Sequence, residues 1–152
     1  MNVKLQMTRR GLVAAVTALG LLRASRAETP AVIEQPAAPG PAAFMQRALA
    51  MRDRAAQAGD QPYGAVIVKN GRIVGEAPSR VVTARDPTAH AEMEAIRDAA
   101  RRLGTRDLAG CEIYASTHPC PMCEAAAYWA GIGRIRHGAG AADGGPPRLS
   151  RC

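Results

Sequence analysis

Hydrophobic positions alternate with polar ones in parts of this chain and recur at helical spacing in others. Two runs rich in β-branched residues, residues 63–69 and 72–77, flank the dipeptide Asn70-Gly71. Because this dipeptide tolerates the positive φ angles of a two-residue turn, the two runs are predicted to form a β-hairpin. Two shorter apolar runs, residues 111–116 and 134–138, are predicted to be further strands.

Three segments have the character of helices. The first covers residues 43–58 and ends at Gly59-Asp60. The second opens at Asp86, a predicted N-cap followed by proline, and its apolar stripe continues to Gly104. The third covers residues 121–130, with proline in its first turn. The element order α-β-β-α-β-α-β predicts an α/β fold in which helices pack on a mixed sheet.

The N-terminal 27 residues have the layout of a cleaved export signal. A basic start is followed by a weakly apolar run, residues 11–22, which is too short for a comfortable membrane span. The pair Arg9-Arg10 resembles a twin-arginine signal, so the export machinery is a predicted partner. The protein is therefore predicted to be periplasmic or secreted. A membrane anchor or an amphipathic tail is the alternative.

The rest of the chain divides into three parts. Residues 28–41 carry four prolines and a glycine and are predicted to be a linker. Residues 42–140 are predicted to form the folded domain, and residues 141–152 a flexible tail.

The formal charge of the whole chain is +7, which by itself favours a nucleic-acid partner. Five of the 20 basic residues and none of the acidic ones lie in residues 1–27. The remainder has 15 basic residues against 13 acidic ones, a net charge of +2. A charge so close to neutrality gives little electrostatic reason to bind a polyanion, so no nucleic-acid partner is predicted.

Cys120 and Cys123 form a C-x-x-C pair, a spacing shared by structural zinc sites, redox dithiols and chance. A structural zinc site needs four protein ligands, but Cys111 lies in a predicted strand and Cys152 in the tail. A catalytic zinc site needs three ligands, which His90 and the C-x-x-C pair supply. All three of these residues lie near the start of a predicted helix. Free backbone N–H groups and the helix dipole at a helix start are expected to lower the pKa of the two thiols.

Glu92 lies two residues after His90, close enough to reach a metal-bound water without being a ligand. Zinc lowers the pKa of such a water toward neutrality, and a carboxylate beside it can pass a proton to a leaving amine. Glu94 is expected to face solvent instead. Each residue alone also fits a structural role, such as an acid that complements the helix dipole. Their joint order and spacing favour the metal site.

The combination of H-A-E with P-C-P-M-C resembles the signature of zinc nucleobase deaminases. The segments "PYGAVIVKNGRIV", "DPTAHAE", "CEIYAS" and "RIRHG" extend the resemblance over about residues 44–138. The chain is similar to the cytidine/deoxycytidylate deaminase superfamily, in the branch with bacterial guanine deaminases and tRNA adenosine deaminases. The segment "YWA", residues 128–130, is more like the guanine deaminases.

The resemblance implies a three-layer α-β-α, cytidine-deaminase-like fold with a mixed sheet, C-terminally truncated and commonly dimeric. It implies one Zn²⁺ per chain, bound by His90, Cys120 and Cys123, with Glu92 as the proton shuttle. The implied reaction is hydrolytic deamination of a small-molecule base or nucleoside. Zinc hydroxide attacks the amine-bearing ring carbon, and ammonia leaves.

Guanine or a related purine is the predicted substrate. Three further residues are predicted to contact it: Ser79, Ala91 and Trp129.

Three features depart from the family pattern. Ser79 stands where relatives usually have an asparagine that contacts the substrate, and serine lacks the paired donor and acceptor of an amide. His118 stands where glutamate usually precedes the P-C pair, and a changed neighbour of the site is favoured over a stray metal contact. The chain ends 29 residues after Cys123, where relatives continue. The alternatives are therefore a tRNA adenosine (A-to-I) deaminase and an exported zinc-binding protein without activity.

Overall fold

The structure is a computed structural model that describes residues 31–149. The predicted export signal, residues 1–27, lies outside the described residues and stays a prediction. The elements follow in this order: α1 (Pro41–Gln57), β1 (Gly64–Lys69), β2 (Arg72–Pro78), α2 (Ala91–Leu103), β3 (Cys111–Ala115), α3 (Pro121–Trp129), β4 (Arg134–His137) and β5 (Ala142–Gly145).

The five strands form one mixed sheet in the order β2-β1-β3-β4-β5. The hairpin prediction is confirmed: β1 and β2 are antiparallel, and Asn70 and Gly71 have φ angles of 50° and 73°. Strand β1 is also antiparallel to β3, whereas β3 and β4 are parallel and are joined by α3. The predicted mixed sheet with helices packed on it is therefore confirmed.

Two apolar layers cover the two faces of the sheet. Because neighbouring side chains of a strand point to opposite faces, Val66 packs with α1 while Ile67 packs with α2 and α3. Two glycines allow the helices to come close. A Cβ on Gly64 would lie 2.2 Å from a carbonyl oxygen of α1, and one on Gly75 would lie 2.6 Å from a backbone nitrogen of α2. The result is an α-β-α arrangement.

The second helix begins later than predicted. Its N-cap is His90, whose ψ of 152° is extended, and Asp86 lies in the preceding loop. The carboxylate of Asp86 accepts hydrogen bonds from the backbone N–H and the hydroxyl of Thr88 instead. Asp86 therefore closes a local turn, a role for which aspartate is as well suited as for a helix N-cap.

Parts of the predicted linker and of the predicted tail belong to the folded structure. Within the predicted linker, Ile33 is buried, and the Gln35 amide both donates to and accepts from the backbone of Ile73 on the edge strand β2. Within the predicted flexible tail, residues 142–145 form β5, antiparallel to β4. Helix α1 begins two residues before the predicted start, at Pro41.

Within residues 31–149 we find no helix with both the length and the apolar character needed to cross a lipid bilayer.

Candidate metal and active site

The sheet topology brings the predicted metal ligands to one edge. Pro78, at the end of β2, and Ala115, at the end of β3, pair with neighbouring residues at the start of β1. The carboxyl ends of β2 and β3 therefore lie side by side, and the chain turns from each into a helix. His90 is the N-cap of α2, and Cys120 is the N-cap of α3. Residues 30 positions apart in sequence thus meet at two adjacent helix starts.

The structure brings together the three residues predicted to bind metal. Nδ1 of His90 lies 3.7 Å from Sγ of Cys120 and 3.6 Å from Sγ of Cys123, and the two sulfurs are 3.6 Å apart. A tetrahedral zinc ion places two thiolates about 3.8 Å apart, and a thiolate and an imidazole nitrogen about 3.6 Å apart. The observed separations are compatible with one such ion among the three atoms. In the part of the chain that is described, these residues form the one group of this kind.

Glu92 lies beside this group and is buried. Its Oε2 lies 3.6 Å from Sγ of Cys123, but it does not belong to the three-residue cluster. Burial raises the pKa of the Glu92 carboxyl above its usual value, although hydrogen bonds from its own backbone N–H and from Cys123 oppose this. A carboxyl with a raised pKa is suited to take up and release a proton near neutrality.

The expected lowering of thiol pKa at the helix start does not hold for Cys123. Burial raises the pKa of this thiol, and the nearby Glu92 and Cys120 raise it further. The loss of solvation outweighs the helix dipole, because Cys123 is almost fully buried. A buried thiol beside a buried carboxyl favours its ionised form only when a cation is bound next to it, which is the chemistry of a metal site.

An open cavity of about 210 Å³ lies over the cluster. Besides His90, Glu92 and Cys120 it is lined by Tyr63, Thr117 and His118. The sequence reasoning did not select Tyr63 or Thr117. Tyr63 lies within the segment "PYGAVIVKNGRIV", and Thr117 lies three residues before Cys120, so the available signal was their position in or near these motifs.

His118 is close to the cluster without joining it. Its Nδ1 lies 2.8 Å from the carbonyl oxygen of Pro119, and its ring contacts that of His137 edge-to-face. The prediction that His118 is a changed neighbour of the site is compatible with this position, because His118 lines the cavity and does not belong to the three-residue cluster. Glu94, expected to face solvent, is partly buried and forms an ion pair with Arg97 on the same helix.

The predicted substrate contacts lie in different surroundings. Ser79 is buried, and its hydroxyl donates to Oδ1 of Asp60. Ala91 is fully buried at the start of α2, next to His90. Trp129, at the end of α3, has 73% of its surface exposed. None of the three predicted contacts is among the residues that line the cavity, so these roles stay predictions.

The sequence of the domain matches a known family. Residues 41–139 match the family described as "cytidine and deoxycytidylate deaminase zinc-binding region". The chain is 49% identical over 88 residues to a guanine deaminase of Bacillus subtilis, covering 57% of this chain and 56% of that protein. It is 50% identical over 80 residues to a tRNA-specific adenosine deaminase of Aquifex aeolicus, covering 53% of each.

The fold is also similar to solved structures. The crystal structure of a guanine deaminase from Bacillus subtilis superposes with a TM-score of 0.61 and 45% identity, covering 63% of this chain and 62% of that one. The chain spans about half the length of the two curated relatives it matches. The two relatives differ in their named substrates but are almost equally similar to this chain.

Proposed function

Since the chain belongs to the cytidine and deoxycytidylate deaminase family, we propose that it is a zinc-dependent hydrolytic deaminase of a nucleobase or nucleoside, with guanine or a related purine favoured. The observation that carries the proposal is the meeting of one imidazole nitrogen and two sulfurs at 3.6–3.7 Å, with a buried carboxylate beside them. His90, Cys120 and Cys123 would hold the ion.

When bound, zinc acts as a Lewis acid that makes a water molecule nucleophilic at neutral pH. Glu92 then performs the proton transfers. Its Oε2 accepts a proton as the attacking water adds to the amine-bearing ring carbon, and it donates a proton to the amine nitrogen, which leaves as ammonia. The burial of Glu92 supports this role, because it raises the pKa of the carboxyl toward the working range of a proton shuttle.

Guanine is favoured by two observations. The segment "YWA", residues 128–130, is more like the guanine deaminases, and the chain is 49% identical over 88 residues to the Bacillus guanine deaminase. The net charge of residues 28–152 is only +2, so a small neutral base suits the domain better than a polyanion. The other candidate, a tRNA adenosine deaminase, is supported by the 50% identity to the Aquifex protein.

Ammonia release from a substrate panel tests the proposal. The zinc-loaded protein is incubated with guanine, adenosine, cytidine and a tRNA anticodon stem-loop, and free ammonia and inosine are measured. Ammonia from guanine is the expected result. Inosine in the stem-loop without ammonia from guanine would support the tRNA candidate instead. Stoichiometric zinc without any deamination would support a zinc-binding protein that lacks activity.

The predicted export, the small-molecule partner and the predicted homodimer are part of the same proposal. A protein that folds before it is exported can bind zinc inside the cell. The thiols of Cys120 and Cys123 would then hold the metal before they reach an oxidising compartment.

A further inference from the structure

We propose that His118 binds the substrate by accepting a hydrogen bond at Nε2 from a ring N–H group of the purine, and that His137 positions the His118 ring for this contact. The inference rests on the proposed deaminase function, because it assigns a binding residue to the same cavity. It also names the feature of the substrate that the cavity selects: a ring nitrogen that carries hydrogen.

His118 is accessible to a molecule in the cavity. It lines the cavity together with Tyr63 and Thr117, and its side chain is exposed rather than packed into the core. It is not one of the three residues whose ligand atoms come together. His118 lies between β3 and Cys120, which also lines the cavity.

A hydrogen bond to the backbone fixes which ring nitrogen can accept. Nδ1 of His118 lies 2.8 Å from the carbonyl oxygen of Pro119. A carbonyl oxygen only accepts hydrogen bonds, so Nδ1 must carry the proton in this contact. In the neutral imidazole the other nitrogen, Nε2, then has a free lone pair and acts as an acceptor.

His137 restrains the His118 ring by an edge-to-face contact. The ring centroids of His118 and His137 are 4.6 Å apart, with an angle of 61° between the planes. His137 is in turn packed against β5: a Cβ built on Gly144 would lie 3.2 Å from Cδ2 and 3.5 Å from Nε2 of His137. A chain of contacts therefore runs from β5 through His137 to a residue that lines the cavity.

The acceptor discriminates between the two candidate substrates. Guanine as a free base carries ring N–H groups, at N1 and on its imidazole ring. Adenosine has only acceptors at its ring nitrogens, because ribose occupies N9 and its hydrogens lie on the exocyclic amine. A neutral Nε2 acceptor can therefore pair with a ring nitrogen of guanine and cannot pair with one of adenosine. Adenosine is disfavoured because two hydrogen-bond acceptors, Nε2 of His118 and a ring nitrogen of adenosine, would face each other without a hydrogen between them.

The test measures equilibrium binding of guanine, so that it does not depend on turnover. The zinc-loaded Glu92→Gln protein serves as the parent, and His118→Phe and His118→Gln are introduced into it. Phenylalanine keeps a ring against His137 but has no acceptor, whereas the glutamine amide oxygen reaches about as far as Nε2. We expect His118→Phe to weaken guanine binding about tenfold and His118→Gln to restore most of it.

Methylated guanines identify the bond. With 1-methylguanine or 9-methylguanine, whichever lacks the partnered N–H, His118→Phe is expected to change the affinity less than about twofold. Gly144→Ala, which presses on His137 from outside the cavity, is expected to weaken guanine binding with zinc content unchanged. Equal losses in His118→Phe and His118→Gln would overturn the proposal, as would guanine binding by His118→Phe at the parent's affinity.

The two levels of inference fail separately. If the wild-type protein releases ammonia from guanine but His118→Phe leaves guanine binding unchanged, only the His118 assignment is overturned. If His118→Phe weakens guanine binding and His118→Gln restores it, but the wild-type protein releases no ammonia, only the proposed reaction is overturned. Absence of guanine binding by the parent would overturn the His118 assignment, and absence of ammonia release from guanine by the wild-type protein as well would overturn both.

Discussion

The hydroxyl of Ser79 donates a hydrogen bond of 2.9 Å to Oδ1 of Asp60, and both residues are buried. Asp60 accepts four further hydrogen bonds, from the backbone N–H groups of Gln61, Val82 and Thr83 and from the Thr83 hydroxyl. The carboxylate therefore ties the segment that leads into β1 to the loop that follows β2. The first segment precedes Tyr63, which lines the cavity, and the second precedes His90 of the three-residue cluster.

Replacing Asp60 by asparagine is expected to destabilise the protein by about 2 kcal/mol, because an amide cannot accept all five hydrogen bonds. Burial alone would raise the pKa of Asp60, but hydrogen bonds from Thr83, Gln61 and Ser79 outweigh it and lower the pKa to about 2. The pKa is thus lower in the folded than in the unfolded protein. The stabilisation is present above about pH 4 and is lost as the pH falls through about 2.

Urea unfolding between pH 2 and pH 7 measures this effect, with Asp53→Asn as the matched control. Asp53 is an exposed carboxylate whose partner is the adjacent Arg52, so its replacement is expected to change stability by less than about 0.5 kcal/mol. A stability difference between wild type and Asp60→Asn that stays constant from pH 2 to pH 7 would contradict the assigned pKa.

Ser79→Ala separates a structural role from substrate contact. The structure predicts a loss of about 1 kcal/mol in stability, since one of five hydrogen bonds to Asp60 is removed. The KM for guanine is then expected to change less than about threefold, because Ser79 does not line the cavity. Thermal melting and steady-state kinetics on the same samples check both values. An unchanged melting temperature with a tenfold rise in KM would instead support Ser79 as a substrate contact.

Gly64→Ala is expected to destabilise the domain by about 3 kcal/mol, because the added Cβ would overlap the backbone of α1. The Cβ would lie 2.2 Å from both the carbonyl oxygen of Ala48 and the amide nitrogen of Arg52. These backbone atoms cannot move away without disturbing the hydrogen bonds of α1. Gly140→Ala is the control, since a Cβ there has no neighbour within 4 Å. Chemical denaturation of both variants gives the comparison, and equal stability of the two would contradict the close packing of α1 on β1.

Cobalt substitution tests the ligand set. Cobalt-loaded protein is expected to show the absorption bands of a tetrahedral site, with a thiolate charge-transfer band that falls by about half in Cys120→Ser. Cys111→Ala is the matched control, because Cys111 is buried in the core away from the metal-binding group. A band that persists at full strength in Cys120→Ser, or that falls in Cys111→Ala, would show that the wrong thiols have been assigned.

The sequence was most informative where local signals and spacing agree. The hairpin could be predicted because Asn70-Gly71 has one strongly preferred turn. The clustering of His90, Cys120 and Cys123 could be predicted because a C-x-x-C at a helix start has one natural partner motif in the chain, the H-A-E around His90. Both predictions depend on residues that are close in sequence or that form a recognised pattern.

The remaining features depend on long-range contacts. The predicted start of α2 was wrong because Asp86 can close a local turn as readily as it can cap a helix. The helix begins at His90 because of how the chain packs against the sheet, which no local pattern indicates. Strand β5 has little intrinsic strand propensity and is held by its pairing with β4. The bonds that converge on Asp60 come from residues 19 to 23 positions away as well as from its neighbour, so no local pattern indicates them.

The central claim is that Glu92 transfers the protons of a deamination at a zinc site formed by His90, Cys120 and Cys123. The most direct measurement is the rate of ammonia release from guanine by wild type and by Glu92→Gln, with the zinc content of both determined on the same samples. We expect one zinc per chain in both proteins and a rate at least about 100-fold lower in Glu92→Gln. Ammonia release by Glu92→Gln at the wild-type rate, with zinc bound, would contradict it.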